Sequence, residues 1–246
     1  MRESLAENYT DLIKAVMLLQ SDKPNAPVDT LYLHGLSEGM INSTVPNLIE
    51  IAADYQKRQL SRYISFNGSD GEGMGEQNYP GAAWPGKDWY YRKLVEEDTN
   101  YYSIVPTNPG LHTRDEADKF IEKSKERSWK SGAILSVGYH CVRSISCMIA
   151  AMETQNYFMF LHFITPPQTN PWYSMVSSQG LKRINTFDEI DDEIKRIFSY
   201  WDKGGANPPE SWRSGYAVPP KYLFHYLRNR DEIVNLQKFP LFPFNN

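Results

Sequence analysis

Apolar residues recur along this chain with two alternating periods. Leu5, Leu12, Ile13, Val16 and Met17 stand at helical spacing, so residues 1–20 predict an amphipathic helix that ends before Pro24 and Pro27. Residues 29–34 are a short run of strand formers leading into a loop that holds Gly35 and Gly39. Helical period returns over 46–59, and 62–66 predicts a second strand, followed by a glycine-rich loop over 67–73. The stretch 78–89, with its glycines, prolines and tryptophans, predicts an ordered cover. Beyond it the pattern predicts a helix over 90–97, a third strand over 102–105 and a helix over 113–127. A fourth strand over 133–137, a helix over 142–153 and a fifth strand over 157–164 complete the series.

Strands alternating with helices of this length imply βαβ units, a parallel sheet and right-handed crossovers. The expected class is therefore α/β, a Rossmann-like three-layer sandwich with a mainly parallel sheet. After Pro166 the character changes. Proline pairs punctuate a segment with two helical patterns. One starts at Thr186, where Thr186 and Glu189 have capping-box spacing, and the other runs over 221–234. Residues 1–165 are expected to form the α/β domain, and 166–246 a helical extension packed on the same core.

Composition narrows the function classes. The chain has 246 residues, 41% of them hydrophobic and 23% charged, with a formal net charge of −4. That balance speaks against a dedicated nucleic-acid binder, which needs a basic face. Glu3, Glu7, Asp11 and Lys14 interrupt the first twenty residues, unlike a signal peptide, and the longest apolar runs are too short to cross a bilayer. A cytoplasmic location is the resulting expectation. Cys141 and Cys147, the two cysteines, show no CxxC spacing and are expected as reduced, buried thiols.

Ligands of open parallel sheets collect beyond the carboxyl ends of the strands, so the loops there carry the candidate chemistry. His34 and Gly35 follow the first strand, with Asn42 or Ser43 placed to cap the next helix; a tight turn explains the glycines equally well. The second loop offers Asn67, Gly68, Ser69, Asp70 and Glu72, with Glu76 close behind. Its carboxylates suit a metal, ribose hydroxyls or a general base, and also suit a solvated surface loop. The fourth strand runs into Tyr139, His140 and Arg143. Three apart at a helix start, His140 and Arg143 share a face and suit a phosphate or carboxylate clamp, with His140 also able to move protons. Thr113 and Glu116 have capping-box spacing, which accounts for both without a ligand; Arg114 is free of that explanation. His162 and His225 are expected to be structural. No Gly-x-Ser-x-Gly elbow, HExxH or paired CxxC is present.

The order of these pieces resembles the YdcF/SanA/ElyC-like family. The resemblance rests on the strand and glycine loop at 29–35, the turn Phe66-Asn67-Gly68-Ser69 with Glu76 downstream, the helix start from His112 to Ala117, and Tyr139-His140-Cys141-Val142-Arg143. It covers about residues 28–164. Departures are His34-Gly35-Leu36 in place of a more glycine-rich loop, and Glu116 in place of asparagine. SanA- and ElyC-like members carry membrane segments, so the chain looks more like the soluble YdcF branch, a member of which is associated with S-adenosylmethionine. The resemblance implies a cleft for a small anionic molecule, such as S-adenosylmethionine, a nucleotide or a phosphorylated metabolite. His140, Glu76 and Asp70 are the candidate catalytic groups. His34, Gly35, Asn67, Gly68, Ser69, Glu72, Arg114, Tyr139 and Arg143 are candidate ligand contacts. Turnover, with no metal ligand assigned, and ligand binding without turnover both stay open.

Overall fold

The computed structural model describes residues 5–71, 84–166, 175–178, 182–201 and 216–232. Strands β1 (Val28–Leu33), β2 (Ser61–Phe66), β3 (Ser131–Leu135) and β4 (Phe160–Ile164) pair in the order β2-β1-β3-β4, all parallel. Their apolar runs are short and nearly continuous because the sheet is buried on both faces. Leu31, Leu33, Ala133 and Leu135 pack on one side, Tyr32, Ile134, Leu161 and Phe163 on the other. The first side is covered by α2 (Glu38–Ile41), α3 (Leu48–Lys57) and α4 (Lys87–Glu96). The second is covered by α1 (Leu5–Gln20), α5 (Thr113–Arg127), α6 (Cys141–Thr154), α7 (Thr186–Trp201) and α8 (Pro220–Asn229). The fold is α/β, with a parallel sheet flanked by helices.

The expected strand over 102–105 is a correction. Tyr101–Ser103 form a 3₁₀ turn begun by Asn100, whose side chain accepts from the Tyr102 N–H. Ile104 makes one parallel bridge to Ile64, and the Val105 and Thr107 N–H groups donate to the carbonyls of Ile64 and Phe66. Pro106 sits between these two donors, where a strand's N–H would point away from β2, so its missing donor costs nothing on this side. Counted with this segment, the order is that of a doubly wound sheet. The chain first moves outward from β1 through β2, then returns to the other side of β1 with β3. The switch in direction lies between β1 and β3.

Helix caps also differ from expectation. Ser37 caps the short α2 through the Met40 N–H, and Asn47 with Glu50 forms the capping box of α3; Asn42 only closes α2, and Ser43 turns back to the Met40 carbonyl. Residues 166–246 hold, besides α7 and α8, an antiparallel hairpin of β5 (Met175–Ser178) and β6 (Lys182–Asn185) that the sequence pattern did not suggest.

The free edge of β4 is closed by side chains. Tyr226 accepts from the Leu161 N–H and donates to the Met159 carbonyl. Asp22 accepts from the Phe163 N–H, and Arg230 donates to the Leu161 carbonyl while pairing with Asp22 at 2.8 and 2.9 Å. An edge strand otherwise presents unpaired backbone groups to any passing chain. Among the described residues no helix is long and apolar enough to cross a membrane.

Candidate functional site

The last residues of β1 and β3 leave the sheet side by side at the switch point, where the His34 N–H donates to the Leu135 carbonyl. The loop after β1 is held on its other flank by α4, since the Tyr90 hydroxyl lies 3.4 Å from both the Leu36 N–H and carbonyl. From the β3 side, a 3₁₀ turn over Gly138–His140 leads directly into α6. Twelve of the fourteen α6 residues are buried, so this helix is central, and its polar side chains have no water to turn to.

His34 and His140 meet at this point, their rings edge to face with centroids 4.6 Å apart. Each ring has a distinct set of neighbours. His34 Nδ1 lies 3.2 Å from the Gly35 carbonyl and 3.3 Å from a Glu116 carboxylate oxygen, both of them acceptors. The proton therefore belongs on Nδ1, leaving Nε2 as a bare lone pair. Nε2 is buried and has no hydrogen-bond partner. His140 is the reverse. Its Nδ1 is 2.9 Å from Arg143 Nη2, and a guanidinium can only donate, so Nδ1 accepts and the proton sits on Nε2. The 3.4 Å approach of Glu193 to the same Nδ1 is then proximity, because both groups are acceptors drawn to one guanidinium. Burial, followed by the charge of Arg143, holds the His140 pKa down at about 3, so this imidazole is neutral.

Glu116 was assigned by its spacing to a helix cap, and the structure corrects this. His112 caps α5 through the Asp115 N–H. The Glu116 carboxylate instead crosses to β1, taking the Gly35 N–H at 3.1 Å and the Tyr32 hydroxyl at 3.3 Å beside His34. Thr113 is likewise no cap; its hydroxyl accepts from Arg143. Gly35 is required here for room, since a Cβ on it would lie 2.6 Å from Glu116 Oε1.

Arg143 directs its Nε and Nη2 at the two carboxylate oxygens of Glu193 on α7, both at 2.7 Å, and its Nη1 at Thr113 and Tyr200. This is the bidentate fork that guanidinium groups offer to carboxylates and phosphates. Burial alone would disfavour both charges. Their attraction outweighs it, holding the Glu193 carboxyl well below and the Arg143 guanidinium above their usual ranges. Arg196 adds a contact to Glu193 and one to Glu189, whose second oxygen is buried without a partner. Ser136 Oγ, Tyr139 Oη and Ser144 Oγ are also buried and unpartnered. Burial raises the Tyr139 hydroxyl pKa, with Glu189 and Glu193 adding to the shift, so it remains a protonated donor.

The structure thus brings together His34, Gly35, Tyr139, His140 and Arg143, and adds Glu116 and Glu193, which sequence reasoning missed. The spacing of Glu116 from Thr113 pointed to a cap and so hid its role. The other expected residues lie elsewhere. Asn67 clips the loop after β2 to Gly110 through both ends of its amide and accepts from the Ser69 N–H, while a Cβ on Gly68 would strike the Thr107 carbonyl. Asp70 is exposed and paired with Lys87. Arg114 donates to Asp118, the Thr154 hydroxyl and the Tyr216 carbonyl, tying the region before α8 to α5 and α6. Glu72 and Glu76 lie outside the described residues. Cys141 and Cys147 are buried free thiols, their pKa values pushed up to about 12 by burial. Among the described residues no group of three metal-ligating side chains is arranged to hold an ion.

A concavity of about 240 Å³ opens between the end of α1 and α8. Its Asp22 and Arg230 are committed to the β4 edge, so the switch point remains the candidate site. No family model, curated protein or solved structure matches the chain.

Proposed function

We propose that this protein binds a small anionic ligand at the switch point, where a carboxylate or phosphate of the ligand takes the place of Glu193 on Arg143. The observation that carries this reading is the Arg143 fork itself, which is buried, braced by two hydroxyls and already closed on a carboxylate. The unpartnered Ser136, Tyr139 and Glu189 atoms supply the further polar positions that a ligand would satisfy. In this reading residues 166–246 are an extension packed on the α/β domain, and α7 acts as the element that carries an internal stand-in for the ligand.

The likeness to the YdcF-like family, a cytoplasmic setting and S-adenosylmethionine as a ligand belong to the same proposal. The carboxylate of S-adenosylmethionine suits the Arg143 fork as the Glu193 carboxylate does. Asp70, a candidate catalytic group that also suited a metal or ribose hydroxyls, faces solvent beside Lys87. Nucleotides and phosphorylated metabolites fit the fork on the same grounds. A binder without turnover is the second reading, favoured by the closure of the fork by Glu193.

A thermal-shift series with S-adenosylmethionine, nucleotides and sugar phosphates tests the proposal. At least one of them is expected to raise the melting temperature, and Arg143→Ala to abolish the rise. No rise with any of them, or a rise that survives Arg143→Ala, would overturn it.

A further inference from the structure

The two imidazoles at the switch point are held in opposite tautomers by different charged neighbours. Each nitrogen set follows from which partners can donate. Glu116 and the Gly35 carbonyl can only accept, so His34 turns an N–H to them and aims a lone pair the other way. Arg143 can only donate, so His140 turns a lone pair to it and keeps its proton on Nε2. Both rings are nearly sealed, with His34 1% and His140 3% exposed, so water does not scramble the arrangement. His34 Nε2 is a buried side-chain nitrogen with no hydrogen-bond partner among the described residues.

We infer that His34 is a general base and Glu116 its positioning residue, with His140 a neutral hydrogen-bond donor to charge that develops on the ligand. This rests on the ligand reading above and adds a chemical class to it. A hydroxyl of the ligand, or a water admitted with it when Glu193 is displaced, gives its proton to His34 Nε2. The oxygen's electron pair forms a bond to an electrophilic acyl or phosphoryl centre of the bound anion. The charge that moves onto an oxygen of that centre meets His140 Nε2–H, which stays on its ring. When the bond to the leaving group breaks, the proton on His34 passes to that group and the imidazole is restored. Glu116 fixes the ring and stabilises the imidazolium between these steps, as a carboxylate does for the histidine of an acyl-transfer triad. A neutral imidazole as donor requires the low basicity that burial and Arg143 impose on His140.

The tautomers are read by ¹⁵N and ¹³C NMR of the histidine-labelled full chain, with the five histidines assigned by single substitutions. His34 is expected to show a protonated Nδ1 and bare Nε2, and His140 the reverse. The same tautomer on both rings would overturn the inference. Glu116→Ala is expected to leave the two His34 nitrogens averaged by exchange. Gly35→Ala, which pushes the carboxylate away by its Cβ, is expected to do the same if the first variant does not fold. A His34 tautomer that stays fixed when Glu116 is removed or displaced removes Glu116 from the positioning role. Inorganic phosphate added to Glu193→Ala is expected to shift the His34 and His140 Nε2 resonances. If phosphate raises the melting temperature of that variant but leaves both resonances still, the acid–base pair is wrong while the anion site stands. If phosphate does neither, the anion site itself is wrong.

Discussion

The His34 and His140 rings stand edge to face across the gap between β1 and β3, although 106 positions separate them in the chain. Their closeness follows from the order of the sheet. β1 and β3 are neighbours, so the residues that leave their carboxyl ends are neighbours too. Arg143 and Glu116 then reach the two rings from α6 and α5, one as donor and one as acceptor.

Removing one partner of a buried ion pair leaves the other charge desolvated and alone. Glu193→Ala is expected to lower unfolding free energy by about 3–5 kcal/mol, and Glu193→Gln, which keeps the shape, by less. Urea denaturation at neutral pH measures both. A loss below about 1 kcal/mol for Glu193→Ala would mean the Arg143 fork is not closed on Glu193 in solution.

The pH dependence follows from His140. Its pKa is about 3 in the fold against an ordinary 6.5, so between those values the unfolded chain binds a proton that the folded one does not. Stability from this group is therefore full above about pH 6.5 and falls on acidification, by up to about 1.4 kcal/mol per pH unit. Burial also lowers the pKa of His112, which acts in the same direction. Glu153, lifted to about 7 by burial, opposes both, favouring the fold towards lower pH. The wild-type slope is thus a sum, and the informative measurement is the difference between it and His140→Gln over pH 6.5–4.5. Above pH 4.5 the stability that the depressed carboxylates Glu193 and Asp22 contribute is still largely in place, so they add little to the slope. The variant is expected to show the shallower slope, and an equal slope would contradict the buried neutral ring.

Arg230→Met is expected to unfasten the β4 edge. It strands Asp22 with His162 and the Phe163 N–H, and leaves the Leu161 carbonyl without its guanidinium donor. A loss of about 3–5 kcal/mol is expected, with faster hydrogen exchange at the Phe163 amide than at amides of β1. Unchanged exchange at Phe163 would show that Tyr226 and Asp22 close the edge without Arg230.

Asp70→Asn provides the contrast. The Asp70–Lys87 pair is exposed, with side chains 68% and 41% accessible, so its loss is expected to leave the urea midpoint unchanged. Any ligand found by thermal shift should bind this variant as it binds the wild type. Weakened binding would return the loop after β2 to the candidate site.

Much of the fold follows from local signals. The apolar runs at β1, β2, β3 and β4, and the helical periods between them, were readable because burial on both sheet faces selects apolar residues at consecutive positions. Residues 102–105 misled for a related reason. Their strand-forming composition is genuine, but Asn100 starts a 3₁₀ turn over Tyr101–Ser103, which leaves Ile104 to make the bridge to Ile64. The hairpin of β5 and β6 has Gly180 between its strands in the sequence, but Met175–Ser178 and Lys182–Asn185 lack the alternation that marks such units.

For the site, the sequence by itself determined which residues leave the strand ends. Those were His34 with Gly35 after β1, and Tyr139, His140 and Arg143 after β3, because strand periodicity and glycine punctuation are local. Only the tertiary structure decided what they meet. The spacing of Thr113 and Glu116 suits a cap, and whether the carboxylate bends back to its helix or crosses to Gly35 depends on the absence of a Cβ 81 positions away. Glu193 reaches Arg143 from 50 positions further on, where the sequence shows an ordinary run of acidic residues within a helical pattern. Local propensity has no term for such partners, since a buried charge is satisfied by whichever group the packed fold brings within about 3 Å.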